Sequence, residues 1–252
     1  YDNFTNTILS TYGTEFYRKA THGEGFIRGF FNVIKSATTG TGAALERLFI
    51  TGVSPVTMDD VTSGFNIGTN ITNDSWFNDL VGFSENELRE MLEYYKEQGV
   101  LQESIDEIVA MMKPNYDNYC FSEDTLEQCM FNSDMALYFL KSFVLHHKKP
   151  KEIVDPNIRT DFNKLAYLIK LDHGLGENFS VIKEIAEQGE IITDIVTHFS
   201  ALEMTDPSNF KSLLFYFGLL SIKGVDMVGR PILHVPNLVV REQLFNFSIQ
   251  GY

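Results

Sequence analysis

The stretch that decides the predicted fold is RLFITGVSP, residues 47–55. Residues 48–50 are apolar without alternation, which is typical of a central parallel strand covered on both faces. Thr51 and Gly52 then place a hydroxyl group and a bare backbone at the end of the strand, where open α/β sheets bind their ligands. The stretch therefore predicts a buried strand whose polar tip faces a ligand crevice. A buried antiparallel strand that ends in a turn has the same pattern, so this alternative stays open.

An amphipathic helix precedes this strand. Its apolar stripe consists of residues at helical spacing, namely Ile27, Phe30, Phe31 and Ile34. A helix followed by a buried strand with a polar tip is the order found in parallel α/β sheets. The chain opens at YDNF without an initiator Met, which predicts that it is trimmed from a longer protein.

Three segments resemble the bacterial predicted AAA-ATPase-like family: the opening YD, GFIRGFF at 25–31 and FITGVSP at 49–55. Later segments fit as well, including YDNY at 116–119, where Asn118 replaces the usual Gly, and FGLL at 217–220. Members of that family are P-loop ATPases, often fused downstream to a nuclease-like domain of the PD-(D/E)xK type. The resemblance implies that this chain is the C-terminal portion of such an ATPase.

The phosphate loop of that family is missing from the sequence. No G-x-x-x-x-G-K-[ST] motif occurs, and no Gly is followed by Lys. Backbone amides and a Lys on that loop make most of the contacts that bind the phosphates. This chain alone is therefore expected to be inactive and to bind no cofactor. ATP and Mg²⁺ are expected for the intact parent. The expected partners are the missing N-terminal ATPase segment, a fused or associated nuclease-like domain, and other proteins.

The resemblance also assigns candidate site residues. It places Thr51, with Ser54 nearby, where a hydroxyl group senses the γ-phosphate or the attacking water, although both hydroxyls could simply cap the turn. Asp2 would be the last acid of the family's Walker B motif, where it would orient the groups that bind the metal ion or the water. The alternative is that Asp2 is a solvated residue at the end of the chain. Arg28 and Arg47 are candidates for the cation that neutralises a γ-phosphate, but an ordinary surface role is favoured.

Composition narrows the class of protein. Hydrophobic content of 44% in 252 residues indicates a folded globular chain. The net charge of −14 disfavours a general nucleic-acid binder, because such proteins neutralise phosphates with clustered Lys and Arg. The longest apolar run, residues 213–220, is too short for a membrane span. With two Cys, a disulfide framework is not expected, and a cytoplasmic location is predicted.

No metal site is predicted from the His and Cys residues. Cys120 and Cys129 lack C-x-x-C spacing, and His146 and His147 are adjacent, so they point in different directions.

The predicted fold class is α+β and mostly α-helical. Residues 1–75 would be the distal part of an ATPase α/β core, with a short strand near Ile71; residues 76–150 would be a helical lid or insert. Ser84 and Glu87 form a predicted capping box in that insert. Residues 151–252 would be a winged-helix-like unit with a strand at 231–236 and a last helix capped by Asn237.

The predicted function is that of a nucleotide-dependent switch that cannot hydrolyse ATP without the missing upstream segment. A non-catalytic protein-interaction module from a degenerate ATPase is the alternative. A winged-helix DNA-binding module is a third possibility, but its candidate recognition helix is apolar nearly all round. Such a helix is typically buried, whereas a groove reader exposes Arg, Asn or Gln to the bases.

Overall fold

The computed structural model describes residues 2–52, 60, 68–155, 177–204 and 206–250. It is mostly helical and contains a three-stranded antiparallel sheet, which confirms the α+β class. The chain forms two compact units. Unit 1 consists of Tyr1–Asn70 and Ile195–Phe217, and unit 2 of Ile71–Asp194 and Gly218–Tyr252.

In unit 1, helix α1 (Asp2–Thr21) is followed by α2 (Phe26–Ala37). The chain turns between them at Gly25, where a Cβ atom would lie 2.2 Å from the carbonyl oxygen of Ala20. Since no side chain fits at that distance, this sharp turn requires glycine. The predicted helix around Phe31 is therefore confirmed, and its inner face, Ile27 and Phe31, is buried.

The predicted buried strand at residues 48–50 is wrong. Residues 47–52 have no regular secondary structure, and Leu48 and Phe49 are 41% and 63% exposed. A parallel strand needs hydrogen-bonding neighbours on its edges and helices on its faces. The described residues of unit 1 include no strand that could pair with this segment. The short strand expected near Ile71 is likewise irregular chain.

Unit 2 has a helical core. Helices α3 (Glu85–Glu97), α4 (Ile105–Tyr116) and α5 (Ser133–His146) bury one continuous apolar cluster that includes Leu88, Ile108 and Phe139. The predicted capping box is confirmed: the Glu87 N–H donates to Ser84 Oγ (3.2 Å), and the Ser84 N–H donates to the Glu87 carboxylate (2.9 Å). The three helices form because each carries apolar residues at helical spacing behind a favourable first turn.

The rest of unit 2 is built on a small sheet. Helix α6 (Glu177–Gln188) leads into β1 (Glu190–Ile192), and β2 (Ser221–Val225) forms a hairpin with β3 (Pro231–His234). The order is β1-β3-β2 with both pairings antiparallel, and Leu233 of β3 lies between Ile191 and Ile222. The predicted strand at 231–236 is thus confirmed.

The apolar run at 213–220 predicts a helix from about Asn209 to Ser221, so the sequence does not predict strand β2. Helix α7 (Pro207–Tyr216), which belongs to unit 1, instead ends before Gly218. Gly218 has a φ of 70°, a left-handed conformation that helices do not continue through. Helix α8 (Leu238–Gln250) closes the described chain.

Two expectations are not settled by the described residues. The helical spacing of Phe162, Leu165, Ala166 and Ile169 predicts a helix, but these residues lie outside the described ones. The boundaries near 75 and 150 stay predictions. Within the described residues, no helix combines the length and the apolar character that crossing a membrane requires.

Asn237 is the residue on which we test the fold. Its Oδ1 accepts the Val240 N–H (3.1 Å), which confirms the predicted cap of α8, and its Nδ2 donates to the Asp117 carbonyl oxygen (3.1 Å). We expect Asn237→Ala to lower the free energy of unfolding by about 2 kcal/mol, because both buried bonds are lost. Urea denaturation measures this change.

Asn246→Ala is the control, since Asn246 is exposed on the same helix. Asn237→Asp should recover part of the loss, because a carboxylate still caps the helix but cannot donate to Asp117. Equal stability of Asn237→Ala and the control would contradict the role given to this side chain.

Candidate functional site

The predicted site residues lie in the first part of unit 1. Thr51 and Arg47 are exposed on the irregular segment after α2, and Arg28 is half-buried on α2 itself. Asp2 is the first residue of α1, and Ser54 lies outside the described residues. Their roles in nucleotide chemistry stay predictions.

A buried polar cluster lies in the same unit. The hydroxyl group of Tyr17 donates to Asp60 Oδ2 at 2.6 Å, and both side chains are buried. Asp60 is thus anchored to α1 across 43 residues of sequence. A carboxylate taken out of water needs such a partner, because an unpaired one would cost several kcal/mol.

His22 completes this cluster from its half-exposed position. Its Nδ1 lies 2.8 Å from Thr21 Oγ1, and that hydroxyl group donates its proton to the carbonyl oxygen of Tyr17 (2.9 Å). The hydroxyl oxygen must therefore accept from His22, which places a proton on Nδ1. Nε2 then faces Asp60 Oδ1 at 3.8 Å.

Sequence reasoning missed the Tyr17–Asp60–His22 cluster. No short motif links Asp60 to a tyrosine so far away in the chain. The usable signal was the spacing of Tyr17, Ala20 and Thr21, which places a hydroxyl-bearing residue on the same buried face of a helix as a tyrosine.

A second polar centre lies in unit 2, at residues 116–119. Asn118 has a φ of 75°, a left-handed conformation that asparagine tolerates better than most residues. Its Nδ2 donates to the carbonyl oxygen of Pro236 (3.0 Å). Tyr116 donates its hydroxyl proton to the Ile153 carbonyl oxygen (2.8 Å). The YDNY segment is therefore a structural junction rather than a site of chemistry.

Asp117 belongs to this junction. Burial raises the pKa of its carboxyl group, and the Asn118 N–H, 2.7 Å from Oδ1, and the Lys113 charge oppose that effect. The carboxylate fixes the turn at Asn118.

Neither centre is a metal site by composition. Among the residues that the structure describes, no group of three or more His, Cys, Asp or Glu side chains is placed to hold a metal ion.

The class that the fold defines is an α+β protein with a helical first unit and a second unit built from helices and a small antiparallel sheet. A family model described as Predicted AAA-ATPase matches residues 1–62. The match covers α1, α2, Arg28, Arg47 and Thr51, and also Tyr17, His22 and Asp60. It does not extend to unit 2. No curated protein and no solved structure matches the chain.

Tyr17→Phe tests the anchoring of Asp60. We expect the free energy of unfolding of unit 1 to fall by about 1–3 kcal/mol, because the buried carboxylate loses its hydrogen-bond donor. Hydrogen exchange of the α1 and α2 amides measures this, and exchange should become faster than in the unchanged protein. Tyr12→Phe removes an exposed hydroxyl group from the same helix and serves as the control. Identical protection in the two variants would refute the anchor.

Proposed function

We propose that this chain is the distal portion of a P-loop ATPase and acts as a nucleotide-dependent switch. ATP turnover would require a phosphate-loop segment, which the sequence lacks. The match of residues 1–62 to the predicted AAA-ATPase family supports this proposal. Such a switch would work in the cytoplasm, where ATP and Mg²⁺ are supplied.

One observation carries the proposal: the apolar face of α2 is only partly covered. Ile27 and Phe31, at one edge of that face, are buried, whereas Phe26, Phe30 and Val33, at positions i, i+4 and i+7 along its other edge, are 58%, 61% and 68% exposed. The apolar face of a helix normally packs against a core. We call Phe26, Phe30 and Val33 the outer face of α2. Exposed apolar stripes of this kind mark contact surfaces.

The occupant that we propose for the outer face is the segment of the ATPase core that carries the phosphate loop. In such a core, helices cover a parallel sheet, and residues 48–50 would find there the neighbouring strands that the described residues of unit 1 do not include. Leu48 and Phe49 would then be covered, and Thr51 would lie at the carboxyl edge of the sheet, where nucleotides bind.

In this arrangement each site residue would have a separate role in ATP binding and hydrolysis. Thr51 and Ser54 would bind the γ-phosphate or the attacking water, and Asp2 would support the Mg²⁺ shell. Arg28 or Arg47 would neutralise charge on the transferred phosphoryl group. Asp60, nine positions after Thr51, is bonded to Tyr17, so a shift of the Thr51 segment would reach α1. A fused or associated nuclease-like domain would receive the signal.

The test of this proposal is ATP hydrolysis by the protein that includes the phosphate-loop segment. We expect Mg²⁺-dependent turnover, and we expect Thr51→Ala to lower kcat by about 10- to 100-fold, as loss of one transition-state hydrogen bond does. Thr41→Ala, at an exposed position in the same part of unit 1, is the control. Absence of turnover in the intact protein would end the catalytic proposal.

A second experiment tests whether the phosphate-loop segment covers the outer face of α2. Phe30→Asp places a charge on the outer face and should abolish turnover while the variant stays folded. Tyr94→Asp, at an equally exposed aromatic residue in unit 2, should leave turnover unchanged. Full activity of Phe30→Asp would show that the outer face is not covered in the active enzyme.

A non-catalytic protein-interaction module is the second candidate. The outer face of α2 supports it equally, and so does the β2–β3 turn, where Met227 and Val228 are exposed above a network held by Asp226. A phosphate-loop segment without its Lys would favour this alternative over catalysis.

A winged-helix-like unit is a further proposal: α6, β1 and the β2–β3 hairpin belong to unit 2 and have the sheet order β1-β3-β2, whereas the intervening helix α7 belongs to unit 1. We propose that this unit serves packing rather than DNA recognition. Phe210, Leu213 and Leu214 of α7 are buried, and a groove-reading helix needs an exposed polar face.

This gives a prediction for DNA. Fluorescence anisotropy with a labelled duplex should show no binding even at low salt, because the net charge of −14 repels the phosphates. An affinity whose logarithm falls linearly with the logarithm of salt concentration would instead establish binding through phosphate contacts.

A further inference from the structure

The two cysteines of the chain face each other across an antiparallel strand pair in unit 2. Tyr119 and Met130 exchange two backbone hydrogen bonds, Tyr119 N to Met130 O (3.1 Å) and Met130 N to Tyr119 O (2.8 Å). One step outward, the directly opposed residues are Cys120 and Cys129. Hydrogen-bonded and non-hydrogen-bonded pairs alternate along such strands, so the cysteines occupy a non-hydrogen-bonded pair.

That position suits a disulfide bond. Opposed Cα atoms in a non-hydrogen-bonded pair are about 4.5 Å apart, which falls in the range of about 4.4–6.8 Å that disulfides span.

Asn78 holds the two strands at the next step. The Phe121 N–H donates to Asn78 Oδ1 (3.2 Å), and Asn78 Nδ2 donates to the carbonyl oxygen of Gln128 (2.8 Å). One buried amide therefore bridges both strands where a backbone pair would otherwise form. The Tyr119–Met130 pair lies on one side of the cysteines, and the Asn78 bridge lies on the other. These hydrogen bonds keep the two cysteines opposite each other.

The thiols interact with each other. Cys120 is buried and Cys129 is partly exposed. A hydrogen bond between them lowers the pKa of Cys120 to about 7. The same hydrogen bond and burial raise the pKa of Cys129. A thiolate is the nucleophile in disulfide exchange, and a Cys120 thiolate that is hydrogen-bonded to Cys129 is placed to take its proton.

We propose that Cys120 and Cys129 form a reversible disulfide bond when the protein meets a low-molecular-weight disulfide such as oxidised glutathione. Cys129, the accessible residue, gives its proton to the Cys120 thiolate along their hydrogen bond, attacks one sulfur of the small disulfide and expels the first small thiolate, which takes the proton from Cys120. Cys120 then attacks the sulfur of Cys129, forms the Cys120–Cys129 bond and expels the second. Two electrons pass to the small disulfide, and its two thiolates take up the two protons that the cysteines lose.

Oxidation would act on the junction of unit 2. The Cys120 N–H donates to Ser221 Oγ (2.7 Å), and the Ile222 N–H donates to the carbonyl oxygen of Cys120 (3.3 Å). Cys120 is thus joined to β2, and the disulfide would lock residues 120–129 onto the sheet. This inference is independent of the proposed ATPase function, since it rests on unit 2 alone.

The test uses the purified protein in glutathione redox buffers. We expect both thiols to disappear from a thiol titration of the folded protein, with an intact mass lower by two hydrogen atoms and no glutathione adduct. Cleavage after Glu123 and Glu127, which lie between the cysteines, should yield two peptides joined by the disulfide. Reduced glutathione in excess should restore both thiols.

The locking effect is measured by thermal unfolding. Oxidation should raise Tm by about 5–10 °C, since closing a short loop restricts the unfolded chain. Cys129→Ser should show no such shift in the same buffers. Two thiols that stay free, a lasting glutathione adduct, or a disulfide between two molecules would each overturn the proposal. An unchanged Tm of the oxidised protein would overturn the locking. The mass measurement on the unchanged protein decides the pairing even if the variant does not fold.

Discussion

Unit 2 depends on one constraint: residues 117–122, of which Asp117, Cys120 and Ser122 are buried, lie outside any helix, and their backbone must still find hydrogen-bond partners. Side chains from distant parts of the chain supply them. Asn237 binds the Asp117 carbonyl oxygen, Ser221 accepts the Cys120 N–H, and Asn78 accepts the Phe121 N–H. An unpaired buried peptide group costs about 1–3 kcal/mol, so loss of several partners would exceed what a marginally stable domain tolerates.

This constraint explains why the helical core and the sheet form one unit. The segment joins α4 to the bridge at Met130 on one side and to β2 and the start of α8 on the other. Its partners lie 43 to 120 residues away in sequence. The opposed cysteines lie in the same junction. A disulfide bond there would therefore restrict the motion of both the strand pair and the sheet.

The parts of the fold that follow from local chemistry were predictable. Ser84 with Glu87, the stripe of α2 and the Asn237 cap all lie within one or two helical turns, where capping and periodicity act. The absence of a strand at 48–50 was not predictable, because an apolar run becomes a strand only when neighbouring strands form hydrogen bonds with its backbone. Tyr17 and Asp60 meet through tertiary folding, and β2 began where Gly218 stopped a helix whose apolar pattern continued. At the candidate site, residue types were readable, but their partners were not.

Two free energies of similar size decide whether residues 48–52 become ordered. One comes from covering the exposed apolar residues of unit 1, and the other is the cost of fixing the backbone. Phe26, Phe30, Val33 and Phe49 are 58–68% exposed, so covering what remains would contribute about 1–2 kcal/mol each, or about 4–8 kcal/mol together. Fixing five backbone residues in a strand costs about 1–2 kcal/mol each, or about 5–10 kcal/mol. Because the two amounts nearly cancel, this segment forms a strand only if a partner both covers the apolar side chains and bonds its backbone. A phosphate-loop segment would do both, and its nucleotide state would then decide whether Thr51 is held in place.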